Sequence, residues 1–127
     1  MNIRLTVGND TLTATLNSSQ AARDFAAMLP LTLTLTDFHG TEKIADLPGR
    51  LATAGSPPGS AARAGDLAYY APWGNLAIFY RDFAYSQGLV KLGALHGSVS
   101  VLSTQNPSFE VTIEVVERQG HEFVATP

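Results

Sequence analysis

The sequence contains no cysteine, one tryptophan and two methionines among its 127 residues. Without thiols there is no disulfide scaffold, no thiolate zinc site and no thiol nucleophile. Charged residues make up only 15% of the chain, and the net charge of −3 is mild. That balance argues against nucleic-acid or anionic-membrane partners, both of which draw on basic patches. No apolar run approaches the ~20 residues of a membrane-spanning helix. The opening MNIRLTVGND lacks the charged and then apolar pattern of a signal peptide. A cytoplasmic protein is the expectation. Catalytic signatures are also missing: there is no Gly-x-Ser-x-Gly, no P-loop and no dinucleotide fingerprint. Gly55, Gly59 and Gly65 have the wrong spacing for phosphate binding, and Ser56 and Ser60 have no positioned base beside them. No cofactor is implied.

What is present is a globular composition, 45% hydrophobic, at a length that suits one domain over residues 1–127. Ile3, Leu5 and Val7 alternate with Arg4 and Thr6, the period-2 pattern of a strand with one buried face. After the turn signal at 8–10 the alternation resumes with Leu12, Ala14 and Leu16 inward, which predicts a hairpin. A helix is predicted over about 18–29, with Asn17 as N-cap, Gln20 completing a capping box, and Pro30 as the stop. Its apolar face carries Ala21, Ala22, Phe25, Ala26, Met28 and Leu29.

The run LTLTLTDF reads as a strand, and EKIADLP as a short one. Residues 49–65 are rich in Gly, Pro and small side chains and read as a long mobile surface loop. Two strands are predicted over 66–70 and 76–80, then GLVKLGAL, and near the end FEVTIEV with Phe109, Val111, Ile113 and Val115 inward. Propensity makes 97–104 a strand. Glu110 and Glu114 share an outer face and are solubilising there; the stretch after Glu117 reads as a frayed tail. His96 and His121 read as solvated loop and tail residues. The whole is mainly β, a barrel or sandwich with one helix near the start.

The strand LAIFY stands apart. Leu76, Ile78 and Tyr80 fall on one face, Ala77 and Phe79 on the other, and both faces are apolar. One face is the core. The other, around Phe79, is covered by the helix, the long loop, a partner subunit or a ligand. Trp73, in the turn before this strand, reads as a cap on a barrel end or as the wall of a pocket.

The succession RLTVGNDTLTATL, SSQAARDFAAMLPLTLTLTDFHG, GDLAYYAPWGNLAIFY and GLVKLGAL resembles the cyclophilin-like bacterial proteins of largely unassigned function. The resemblance runs from Asn2 to about Glu117. It implies a closed, eight-stranded cyclophilin-like barrel, with a short helical turn near 97–104 in place of the strand that propensity favours. In true cyclophilins, the peptidyl-prolyl isomerases, LAIFY is matched by a strand whose second phenylalanine lines the proline pocket outside the barrel. Phe79 matches that residue. The motif's glutamine falls on Ala77, and the catalytic arginine of a Phe-His-Arg strand is replaced by Gly40 after Phe38-His39. Peptide-bond isomerisation faces a barrier of ~18–20 kcal/mol for an ordinary amide, and a fixed cation donating to the twisting nitrogen lowers it.

The expected function is therefore a non-catalytic or vestigial binding module. It would hold a peptide or small apolar ligand around Phe79, with Ala77, Tyr69 and Trp73 alongside. The alternative is a weak isomerase with a displaced cation, Arg50 or Arg81. A third reading makes the apolar outer face a homo-oligomer interface. Asp37, His39 and Glu42 form an Asp-x-His pair with a nearby acid, an oxygen and nitrogen set that suits a metal. The plainer reading of that stretch is a polar strand end and turn, and no metal is expected.

Overall fold

The computed structural model describes residues 1–104 and 108–116. Along the chain run β1 (Asn2–Val7), β2 (Asp10–Leu16), α1 (Gln20–Met28), β3 (Leu31–Phe38), β4 (Glu42–Asp46) and β5 (Gly59–Ala62). There follow β6 (Asp66–Tyr70), β7 (Asn75–Phe79), β8 (Phe83–Gln87), β9 (Leu89–Leu95), α2 (Ser100–Thr104) and β10 (Ser108–Val115). Eight strands close into an antiparallel barrel in the order β1-β10-β3-β4-β7-β6-β9-β2. The remaining two, β5 and β8, pair with each other outside it. This is the closed barrel that the resemblance implies.

Period-2 alternation puts the apolar set of each strand inside. Ile3 and Leu5 of β1, Ala14 of β2, Leu35 of β3, Leu76 and Ile78 of β7, and Val111 and Ile113 of β10 are fully buried in one cluster. The polar partners stay outside, where Thr32 and Thr112 hydrogen-bond across the seam between β3 and β10 at 3.0 Å. Helix α1 turns Ala21, Ala22 and Phe25 into the same core, and Leu102 of α2 joins them. Closing the sheet removes the unpaired edges that an open eight-stranded sheet would leave.

Local chemistry moved some boundaries. Helix α1 is capped by Ser19, whose hydroxyl accepts from Ala22 N at 3.1 Å, and not by Asn17. The Asn17 side chain accepts instead from the Ser19 amide and hydroxyl, so the helix starts later than its apolar pattern suggests. Gln20 bonds Asp24 and Arg23 and closes no capping box. The β3–β4 connection is the three residues 39–41, a tight turn with His39 at φ 55° and Gly40 at φ 66°, closed by Thr41 N donating to Phe38 O. Two successive positive φ values match the right-handed twist of a tight hairpin.

Three sequence expectations change. Residues 97–104 hold helix α2, so the resemblance prevails over strand propensity there. The 49–65 stretch is not a bare mobile loop: Leu51 enters the core, Asp24 accepts from Ala52 N at 2.8 Å, and β5 pairs with β8. Its small residues gave no periodic signal because β5 needs only to lie flat against its neighbour. Gly59 has no room for a side chain, since a Cβ there would meet Ser86 O and the Tyr85 hydroxyl at 2.5 Å. Val115, the last residue of β10, is 40% exposed rather than buried, although it pairs with the buried Ile3. The stretch after Glu117, with His121, lies outside the described residues. His96 is exposed, with both ring nitrogens bonded to Thr13 and Thr15.

Barrel closure depends on a close approach at the β2–β9 seam, where Leu16 pairs with Gly93. A Cβ on Gly93 would run into the Thr15 carbonyl oxygen and the Leu16 Cα, both backbone atoms that cannot swing aside. Gly93→Ala should therefore destabilise the fold by on the order of 1–3 kcal/mol, the usual cost of overpacking. Urea denaturation measures this; a variant within about 0.5 kcal/mol of the parent, the range of ordinary surface changes, would contradict the seam geometry.

Candidate functional site

Every residue of β7 is buried. Leu76 and Ile78 belong to the barrel interior, whereas Ala77 and Phe79 belong to a second apolar cluster with Ala62, Ala68 and Leu89. The two-faced reading of the strand is thus realised in the packing. Register carries the outer face onto β4: Phe79 lies opposite Glu42, and Ala77 opposite Ile44. The same register sends Lys43 and Ala45 inward, opposite Ile78 and Leu76.

Over the outer face lies a cleft of about 220 Å³. Phe79 and Ile44 form its floor, and Tyr70, Trp73 and Phe38 one wall; Phe83, Ser86 and Leu89, from the β8 flap and the start of β9, form the other. Glu42 and Asn75 also line it. The rings are set at angles. Trp73 meets Phe38 at 5.5 Å between centroids and Tyr70 at 5.3 Å, both edge to face at 85°. Phe79 and Phe83 lie 5.7 Å apart, tilted by 32°. Phe79 is 1% exposed, but Trp73 is 56% and Phe83 41% exposed, so the rim is open to solvent.

The ionisable group in this apolar wall is peculiar. Glu42 is only 9% exposed. Burial raises its carboxyl from 4.5 to about 7, with Asp37 adding repulsion. No hydrogen bond or ion pair to the Glu42 carboxyl occurs among the described residues. Asn75 is 3% exposed, and its Oδ1 is buried with no hydrogen-bond partner among the described residues. Most buried polar atoms are satisfied, so such an orphan demands a reason.

The other candidates fall elsewhere. Tyr69 is not in the cleft. It pairs with Leu76, points into the barrel interior and accepts from Leu51 N at 3.3 Å; its neighbour Tyr70 takes the outer position. Arg50 does not line the cleft. Its guanidinium donates to Ala71 O at 3.0 Å and braces the turn before β7. Arg81 is exposed and is not among the lining residues either.

Asp37, His39 and Glu42 do not converge. Asp37 faces the barrel interior, bound to Lys43 Nζ at 3.3 Å and accepting from the Tyr80 hydroxyl and from Gly40 N. Glu42 faces out and His39 sits in the turn. Among the described residues no three acidic or histidine side chains gather as a metal site would require. Lys43 is 3% exposed at its side chain, over the rings of Tyr80 and Phe109 at 5.6 and 5.4 Å, a setting in which π faces assist the carboxylate. Burial and the bond to Asp37 raise the Tyr80 hydroxyl to about 12, and the same bond holds Asp37 below its ordinary range.

Sequence reasoning missed Phe38, Tyr70, Asn75 and Phe83 as parts of the cleft, and met Glu42 only as a metal candidate. The register across β4, β7 and β6 is what reveals them, and Phe83 was hidden because β8 has no apolar alternation.

A closed antiparallel barrel with an aromatic cleft on its outer wall, floored by a strand buried on both faces, is a cyclophilin-type architecture. The chain belongs to the cyclophilin-like family, whose sequence pattern it matches over residues 5–114. A solved structure similar to it is the solution structure of the hypothetical protein AF2241 from Archaeoglobus fulgidus. The two share 17% identity and a TM-score of 0.63, over 90% of this chain and 93% of that one, a likeness of fold. No curated protein matches the chain. Among the described residues no helix is long and apolar enough to cross a membrane.

The raised Glu42 carboxyl sets a pH dependence. The folded protein holds this proton more tightly than the unfolded chain, so its contribution is complete below the ordinary value of 4.5 and is lost as pH rises through about 7. Glu42→Gln removes that loss. The variant should melt several degrees above the parent at pH 8 and close to it at pH 5. Parallel melting profiles across that range would contradict the assignment.

Proposed function

We propose that the protein is a non-catalytic cyclophilin-like binding module that holds a small apolar ligand, or one side chain of a peptide, in the outer cleft over Phe79. The observation that carries this reading is the covering of β7's outer face. Neither helix α1 nor residues 49–58 seal it; the face ends in an open cleft walled by aromatic rings, two of which are substantially exposed. Apolar surface left open beside a formed concavity is how binding sites differ from cores. The volume limits the occupant. About 220 Å³ is below the ~300–1,000 Å³ of drug-sized sites, so the ligand is fragment-sized.

The isomerase reading lacks its central group. Arg50 is engaged with Ala71 O and Arg81 stands apart from the cleft, so among the described residues no guanidinium lines it. The ionisable acid in the lining is Glu42, which cannot supply the fixed positive charge that a twisting amide requires. In a coupled proline-peptide assay the parent, Arg50→Ala and Arg81→Ala should all run near background. Turnover well above background that falls in either variant would establish the displaced cation instead.

Trp73 is the sole tryptophan and stands on the rim, so its fluorescence reports occupancy. Titration with benzyl alcohol and with a short Ala-Pro peptide should give a saturable change for at least one of them. Phe83→Ala, on the exposed flap and harmless to the core, should weaken it about tenfold, or ~1.4 kcal/mol. Absence of any saturable response, or a response indifferent to Phe83→Ala, contradicts the cleft as the site. A response that instead follows protein concentration alone marks the face as an oligomer interface.

A further inference from the structure

One row of directly opposed residues crosses the cleft. Through the β3–β4 and β4–β7 registers, Phe38, Glu42 and Phe79 stand side by side on the outer face. Residues opposed in this way have Cβ atoms about 4.5–5.5 Å apart. Each phenylalanine is joined by a second ring: Trp73 meets Phe38 at 5.5 Å and 85°, and Phe83 lies 5.7 Å from Phe79. The Glu42 carboxyl thus has an aromatic pair on either side. It is only 9% exposed and has no hydrogen bond or ion pair among the described residues. None of the residues lining the cleft is a lysine, an arginine or a histidine. Lys43, next in the chain, turns to the barrel interior and meets Asp37. A carboxylate and the faces of aromatic rings attract the same thing, a cation, and more strongly where water is displaced.

We propose that this end of the cleft holds a methylated ammonium group, its methyl surface against Phe38, Trp73, Phe79 and Phe83 and the Glu42 carboxylate as its counter-charge. This rests on the binding-module reading and names its ligand class. The supply of acceptors decides between a methylated and a primary ammonium. A primary ammonium carries three N–H donors and a tight hydration shell, and in this row only Glu42 can replace that water. Asn75 is out of reach. It lies opposite Asp46, four residues along β4 from Glu42, or about 13 Å at ~3.3 Å per residue. A trimethylammonium has no N–H to satisfy and spreads its charge over methyl groups that pack against rings. It is also small enough for a cleft of about 220 Å³. The group occurs on small quaternary amines and on trimethylated lysine side chains, and the open rim admits both.

Binding is linked to pH through Glu42. Asp37 on β3 repels its ionised form, and Tyr80, just beyond β7, feels its charge. Tyr70 on β6 lines the same cleft. His39 in the neighbouring turn touches Phe38 edge to face at 4.1 Å, and Arg81 and Asp82, before β8, are exposed. A bound cation stabilises the ionised carboxylate, so occupancy releases a proton at and below neutrality, and affinity rises with pH. Glu42→Gln, which keeps His39, separates the two contributions.

The test follows Trp73 fluorescence on adding choline, its neutral carbon isostere 3,3-dimethylbutan-1-ol, or its primary-amine counterpart ethanolamine, at pH 8 and pH 5.5. At pH 8 the parent should bind choline at least about tenfold more tightly than either, ~1.4 kcal/mol. The preference over the isostere should shrink at pH 5.5, and in Glu42→Gln at pH 8. Equal affinity for choline and the isostere overturns the cation assignment, and ethanolamine binding more tightly than choline overturns the methylated class. Either result leaves the binding module standing, as does a saturable response to benzyl alcohol or the Ala-Pro peptide with none to choline. No response to any of these probes sinks both readings. A short peptide carrying trimethyllysine should bind more tightly than its unmodified lysine counterpart. If it also outbinds choline the source is a protein side chain, and if choline outbinds it the source is a small quaternary amine. The isostere and pH comparisons are made on the parent and require no variant to fold.

Discussion

A β-strand sends alternate side chains to opposite sides of its sheet, and in β7 both sides are dry. That constraint organises the molecule. The inner side, Leu76 and Ile78, fixes the barrel: these residues meet Leu67, Tyr69 and Ala45 through the registers with β6 and β4, and the core gathers around them. The outer side, Ala77 and Phe79, cannot be left bare, and the chain covers it with an addition to the barrel. The β5–β8 pair lies against the outer wall, bringing Ala62 into one apolar cluster with Phe79 and setting Phe83 beside it. The covering is incomplete, and the cleft is the part that remains.

The same parity separates two charged groups that are adjacent in sequence. Lys43 turns inward and meets Asp37, with the Tyr80 hydroxyl bonded to the same carboxylate. An ammonium this deeply placed is tolerable only with an anion and polarisable rings about it. Glu42, one residue earlier, turns outward into the aromatic cleft and has no such company. One site is electrostatically closed on itself and the other is open, which is why the open one carries the functional reading. A shift of a single residue in the β4 register would exchange them, placing an acid in the barrel and a cation in the cleft.

The barrel was legible in the sequence because its strands are mostly amphipathic: Ile3-Leu5-Val7 and Val111-Ile113 state their inner face by alternation alone. The outer assignment of Phe79 was legible for the same reason, since an all-apolar strand has to be covered twice. Tyr69 was misplaced because its face depends on the turn at 71–74, whose length sets Tyr70 opposite Asn75 and Tyr69 opposite Leu76. A turn one residue longer or shorter would have brought Tyr69 out and Tyr70 in. The flap was not legible at all. Neither GSAA nor FAYSQ has an apolar period, because these strands are held by each other's backbones and by close contact at Gly59 rather than by a core. The polar lining of the cleft was hidden for a further reason: Glu42 and Asn75 lie far apart in sequence, on two strands whose common outer face appears only with the β4–β7 register.

The central claim is that the outer face of β7 is a site for a small ligand and not a buried seam between copies of the chain. Trp73, the sole tryptophan, sits on its rim and can be replaced biosynthetically by 5-fluorotryptophan, giving one fluorine resonance for the protein. The account predicts a resonance that is unchanged by dilution of the protein alone and that moves saturably as benzyl alcohol or a short Ala-Pro peptide is added. A resonance that moves with protein concentration and ignores added ligand would contradict it.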